Sequence, residues 1–175
     1  MIKKFLKSGE FYTTNKPMIL EVLVGSCVSV CLYNSKNGSA AMNHFLRAQP
    51  AGDDAVDIGE FGSTSTKHII RKLMAIDDVP GHYRAMVFGG AAVVKVAGME
   101  SDIGRKNVDV ALKALAEARI RIVKKEVLGS RGRRIKFYTE TGAVEYRFAG
   151  DIPRKSKPTW INHSDGEGGV GQVGE

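Results

Sequence analysis

Between Met18 and Tyr33 the chain reads MILEVLVGSCVSVCLY, an apolar and β-branched run with Gly25-Ser26 at its centre and one charge, Glu21. The run is broken well short of the roughly 20 residues that a membrane-spanning helix needs. It reads instead as two strands, over 18–24 and 27–33. A third strand is expected over 39–45, entered through Asn37-Gly38, the pair that favours a tight hairpin turn. The N-terminal third is therefore β.

Residues 47–63, rich in Gly, Asp, Ala and Ser, read as a long loop of the kind that often carries function. Ser63, Thr64 or Ser65 is expected to cap a helix over 64–76 with Ile69, Ile70, Leu73 and Met74 on one face. A strand over 84–89 ends in Gly89-Gly90-Ala91-Ala92, a turn suited to close backbone approach, since a dinucleotide or phosphate-loop fingerprint is absent. A second amphipathic helix is expected over 104–118, with Val108, Ala111, Leu112 and Leu115 on its apolar face. Strands over 120–127, 133–139 and 143–148 complete one domain spanning 1–150. Residues 151–175 read as a flexible tail, because HSDGEGGVGQVGE offers almost nothing to bury. Trp160 falls in that tail, either as a docking anchor or as a loosely packed residue.

The 175 residues are 43% hydrophobic and 26% charged, which fits an ordinary globular domain and excludes fibrous and disordered classes. The N-terminus lacks the apolar region of a secretory signal, so a cytoplasmic protein without membrane insertion is expected. The net charge of +7 is concentrated between Arg119 and Lys136. That run reads as a solvated face or a partner-docking patch. Nucleic acid is the weakest reading, because stacking side chains are missing until Phe137.

Cys27 and Cys31 lie four residues apart on one strand, about 13 Å, too far to join, so both thiols should be free. The ligand spacing of a zinc site is absent, and no metal is expected. His68 and His82 read as surface side chains. Gly25 and Ser26 turn the chain just before Cys27, so its thiol and the neighbouring backbone N–H groups can face one point, as a nucleophile with oxyanion donors requires. His44, returned by the hairpin, is the candidate base that ionises the sulfur. The competing reading of Cys27 is a small buried hydrophobe in a Val-rich strand.

The segments LVGSCVSVCL (23–32) and MNHF (42–45) resemble the signature of the CheD family of chemoreceptor glutamine deamidases. Gly9-Glu10, Val87-Phe88-Gly89-Gly90-Ala91, Ile103-Gly104 with Asn107, Gly129 with Gly132-Arg133, and Thr141-Gly142 follow the family pattern in order. The resemblance covers about residues 9–148. It implies an α/β (α+β) sandwich of mixed sheets flanked by helices, similar to certain deamidating toxins, with no cofactor. Cys27 falls on the family's nucleophile and His44 on its base.

Glu21 stands where the family's third catalytic residue is threonine, Leu23 where a glycine is usual, and Leu128 at the first glycine of a pair. In a continuous strand residues 21, 23, 25 and 27 share a side, which would let the Glu21 carboxylate orient His44; the alternative is that Glu21 faces solvent. The implied reaction is attack of Cys27 on a receptor glutamine amide, loss of ammonia, and hydrolysis of the thioester to glutamate. The implied partners are methyl-accepting chemotaxis receptors and a CheC-type phosphatase. A divergent copy that regulates such a partner without turnover is the other function considered.

Overall fold

The computed structural model describes residues 1–52, 57–93, 102–151, 159–160 and 171–172. In chain order the elements are β1 (Lys3–Phe5), β2 (Phe11–Thr14), β3 (Ile19–Val24), β4 (Val28–Asn34), β5 (Ala40–Asn43), α1 (Gly62–Met74), a short 3-10 turn (Pro80–His82) and β6 (Tyr83–Gly89). They continue with α2 (Ile103–Glu117), β7 (Arg121–Val127), β8 (Arg133–Tyr138), β9 (Ala143–Phe148), β10 (Thr159–Trp160) and β11 (Gly171–Gln172). A six-stranded sheet has the order β1-β3-β8-β9-β10-β11 and a five-stranded sheet the order β2-β5-β4-β6-β7. The expected mixed sheets flanked by helices are therefore present.

All seven residues of β4 are buried, Ser29 and Asn34 among them. One face gives Val28, Val30 and Leu32 to a core shared with Ile69 and Leu73 of α1 and Val108, Ala111 and Leu115 of α2. The other gives Cys31 and Tyr33 to a core between the sheets, where Leu20, Val22 and Val24 of β3 meet Met42, Met86, Phe88, Ile135 and Phe137. A strand covered on both sides has no polar face to present, so alternation disappears. Each large side chain buried this way contributes roughly 1.5–3 kcal/mol.

β3 and β4 belong to different sheets. The three residues between them, Gly25-Ser26-Cys27, therefore carry the chain across one end of the sandwich. This corrects the expectation of one continuous side through residues 21, 23, 25 and 27. Leu23 is 41% exposed, away from the intersheet core, so its bulk does not press on the crossing.

Three further departures have local causes. α1 begins at Gly62 with Phe61 before it and no side-chain cap; the Thr64 hydroxyl donates to the Ile58 and Phe61 carbonyls instead. Leu128 has φ 65°, a conformation that glycine enters without strain, and its N–H donates to the Gly89 carbonyl at 2.9 Å. Within the basic run, Arg133 is only 4% exposed and lies over the Phe148 ring, while Arg131 pairs with Asp151 at 2.6 Å. The expected flexible tail falls mostly outside the described residues. Within it Thr159 pairs with Val144, and Thr159–Trp160 pairs with Gly171–Gln172.

Candidate active site

The crossing is pinned through its carbonyls. Ala91 N–H donates to the Gly25 carbonyl at 2.8 Å, Asn107 Nδ2 to the Ser26 carbonyl at 2.9 Å, and Gly90 N–H to the Cys27 carbonyl at 2.8 Å. In a trans peptide the N–H points opposite to the preceding C=O. The Ser26 and Cys27 amides therefore point away from this scaffold, and neither meets a backbone acceptor among the described residues. The Gly89-Gly90 turn makes the expected close approach. Gly89 has φ 109°, and a Cβ there would run into the Cys27 carbonyl. Gly90 and Gly104 at the start of α2 meet backbone to backbone in the same way.

Val28 and Phe45 form an antiparallel bridge with hydrogen bonds of 3.2 and 3.0 Å in the two directions. Both side chains enter the helix-side core, so the residues before them, Cys27 and His44, project from the opposite face. Diagonal positions of this kind are within reach of each other's side chains at a backbone spacing of about 7–8 Å. Asn43 opens the ladder just here, its Oδ1 accepting the Val30 N–H at 2.8 Å.

His44 is 5% exposed. Its Nδ1 lies 3.0 Å from the Leu6 carbonyl. A carbonyl only accepts, so Nδ1 carries the proton and Nε2 presents a lone pair. Nε2 is buried and has no partner among the described residues. Leu6, not Glu21, thus orients the ring. Glu21 contributes through its backbone, accepting the Leu6 N–H at 2.8 Å. Leu20, Val22 and Val24 face the core between the sheets, so Glu21 turns to the outer face of β3, away from His44.

Burial pulls the His44 imidazole below its ordinary value, against the Leu6 hydrogen bond and the Glu10 charge. Burial also pushes the Cys27 thiol up, opposed by the Ser8 hydroxyl and by the backbone at Cys27. Both groups therefore rest neutral near pH 7, and a standing thiolate–imidazolium pair is not the ground state. Cys31 is fully buried and its thiol is pushed up further by that burial; both cysteines are free.

Sequence reasoning missed three contributors: Leu6, Ser8 and Asn107 as a tie. The last left a signal. Asn107 lies on the apolar face of α2 beside Val108 and Ala111, and a buried amide there must have partners. Its Nδ2 also donates to the Leu46 carbonyl at 2.9 Å, joining the crossing to the segment that follows His44. A cleft of about 650 Å³ between α2 and residues 47–49 adjoins this tie, lined by Arg47, Val110 and Lys113 among others; Cys27 and His44 do not line it. His82 instead pairs with Asp77 at 2.7 Å, and His68 packs on Phe11, so neither joins the site.

A thiol and a buried neutral base on one face, beside two amides that meet no backbone acceptor among the described residues, can perform acyl transfer at sulfur. Residues 45–148 match the family model for CheD chemotactic sensory transduction. A Rhodospirillum rubrum protein is 35% identical over 148 residues, covering 84% of this chain and 82% of its own length. One from Sulfurimonas denitrificans is 30% identical, covering 83% and 94%. A third, from Paraburkholderia xenovorans, is 35% identical over 79% of this chain, which spans 56% of that longer protein. All three bear the name "Probable chemoreceptor glutamine deamidase CheD". The chain belongs to the CheD family.

Proposed function

We propose that this chain is a cysteine-dependent protein-glutamine deamidase that converts chemoreceptor glutamine side chains to glutamate, with Cys27 as nucleophile, His44 as base and the Gly25-Ser26 crossing as the oxyanion site. Family membership supports the reaction. The observation that carries the site is the Nδ1-protonated His44, whose free Nε2 projects from the same face as Cys27.

Because both groups rest neutral, the sequence of steps is general base catalysis. Nε2 takes the thiol proton as sulfur attacks the amide carbon, and the new oxyanion meets the Ser26 and Cys27 N–H groups. The imidazolium returns that proton to nitrogen, so ammonia leaves and a thioester remains. Water, deprotonated by Nε2, adds to the thioester carbon. Collapse releases glutamate, and the proton returns to sulfur. Leu6 holds the tautomer throughout.

The methyl-accepting receptors as substrates and a CheC-type phosphatase as partner belong to the same proposal. So does a cytoplasmic location, supported by two free thiols. Mass spectrometry of receptor fragments incubated with the protein tests it through the mass gain of amide-to-acid conversion. Wild type and Cys31→Ala convert the fragment and Cys27→Ala does not. Full conversion by Cys27→Ala would remove the nucleophile assignment.

A further inference from the structure

Residues 6–10 form a strap that runs from β1 in one sheet to β2 in the other and touches both reacting groups. Its shape is fixed by its own hydrogen bonds. Glu10 N–H donates to the Lys7 carbonyl at 3.0 Å, Lys7 N–H donates to Glu10 Oε2 at 2.8 Å, and Gly9 has φ 90°. That is a type II turn with glycine at its third position and Ser8 at its second. The turn is anchored on the site. Gly9 N–H donates to the His44 carbonyl at 2.7 Å, and His44 N–H to the Glu10 carbonyl at 2.9 Å. Leu6, two residues before Ser8, holds the His44 ring.

The turn leaves the Ser8 hydroxyl 4.0 Å from Cys27 Sγ. Sulfur is its only hydrogen-bond partner among the described residues. We infer that Ser8 is a further catalytic residue, whose hydroxyl turns its hydrogen onto the Cys27 sulfur as negative charge develops there.

The need for such a donor follows from the site. When His44 Nε2 removes the thiol proton, the sulfur bears charge in a half-buried position until it bonds to the amide carbon. It bears charge again when the thioester collapses. The carbonyls of the crossing are turned to the scaffold, and the Cys27 N–H, which bears on its own sulfur at rest, is needed with the Ser26 N–H at the oxyanion once the amide carbon is attacked. A hydroxyl rotates freely, and a hydrogen bond to a charged acceptor is shorter and about twice as strong as a neutral one. The 4.0 Å contact of the resting thiol can therefore tighten as charge forms. No proton leaves Ser8. It lends a dipole while the proton moves between sulfur and imidazole. The pull of Ser8 on the thiol, downward against burial, agrees in direction.

The inference rests on the proposed deamidase reading, yet its test does not need turnover. In the full chain, the rate of Cys27 alkylation by iodoacetamide, assigned by mass spectrometry, is measured against pH for wild type, Ser8→Ala and Ser8→Thr. Ser8→Ala should move the midpoint up by about one unit, and the hydroxyl of Ser8→Thr should restore it. With a receptor fragment, Ser8→Ala should lower kcat roughly tenfold with little change in KM. A Ser8→Ala alkylation profile that superimposes on wild type, in a variant with the same melting curve, would overturn the inference even if wild type deamidates. A shifted profile in a protein that converts no receptor fragment would leave Ser8 in place and remove the deamidase reading.

Discussion

Replacing Asn107 by Ala removes two hydrogen bonds of 2.9 Å that join the Ser26 and Leu46 carbonyls across the base of the site. The side chain is fully buried, so water does not readily replace it. Each lost bond costs about 1 kcal/mol net, and a carbonyl left buried without a donor costs about 1–3 kcal/mol, so the variant should lose roughly 2–5 kcal/mol. For a chain of this size that is a fall of about 5–15 °C in Tm. Activity should fall further than folding. The Ser26 carbonyl shares its peptide plane with the Cys27 N–H, and misplacement of a reacting group by 1 Å costs on the order of 100-fold. The assay is urea unfolding alongside steady-state deamidation well below the melting transition, where kcat rather than KM should drop. Asn107→Asp adds a pH signature. Its burial raises the folded pKa of the new carboxyl above the unfolded value of about 3.9, so the neutral form is favoured. The variant is then most stable below that value and loses stability as pH rises through the folded pKa. An Asn107→Ala protein that melts within about 1 °C of wild type and keeps its kcat would refute the reasoning, because the two carbonyls would then have other donors.

Three other outcomes are expected. Since burial holds His44 below the unfolded imidazole value of about 6.5, its stabilising contribution is complete above that pH and is lost as pH falls through the folded value; urea midpoints of wild type should drop as pH falls below about 6.5, and those of His44→Gln should drop less. Glu21→Ala should keep kcat within about twofold, well short of the tenfold per 1.36 kcal/mol that loss of an orienting partner would register, and a large loss in steady-state assays would bring its carboxylate back into the site. Gly89→Ala should cost roughly 2–4 kcal/mol in thermal unfolding, because its positive φ is strained for alanine and the new methyl meets the Cys27 carbonyl.

Much of this fold is legible in the residues. Val, Ile and Leu between 19 and 34 give β3 and β4, Asn37-Gly38 gives the hairpin to β5, and the spacing of Ile69, Ile70 and Leu73 gives α1. Cys27 and His44 stand out because a turn precedes one and a hairpin returns the other. β1 and β2 escape notice, since KKF and FYTT are short and half-buried or exposed, and their partners are supplied by distant strands. With them goes the strap that supplies Leu6 and Ser8. Glu21 is misread for a related reason. Its side of the strand follows from the sequence, but the change of sheet at Gly25 is a tertiary event that no local pattern carries. A backbone carbonyl as the partner of His44 is equally silent, because every residue type possesses one.

The strap has a consequence for how the site comes into being during synthesis. Leu6, Ser8, Cys27 and His44 all lie within the first 44 residues and leave the ribosome before β8 does. Among the described residues β1, which leads into the strap, pairs only with β3, and β3 is otherwise held by β8 at residues 133–138. The crossing is likewise held by Gly90, Ala91 and Asn107. A nascent chain therefore carries every reacting group long before it can align them, since isolated strand pairs are marginal in water. On the proposed reading, the Cys27 thiol and His44 are aligned only after residues 133–138 have been made and β8 has paired with β3.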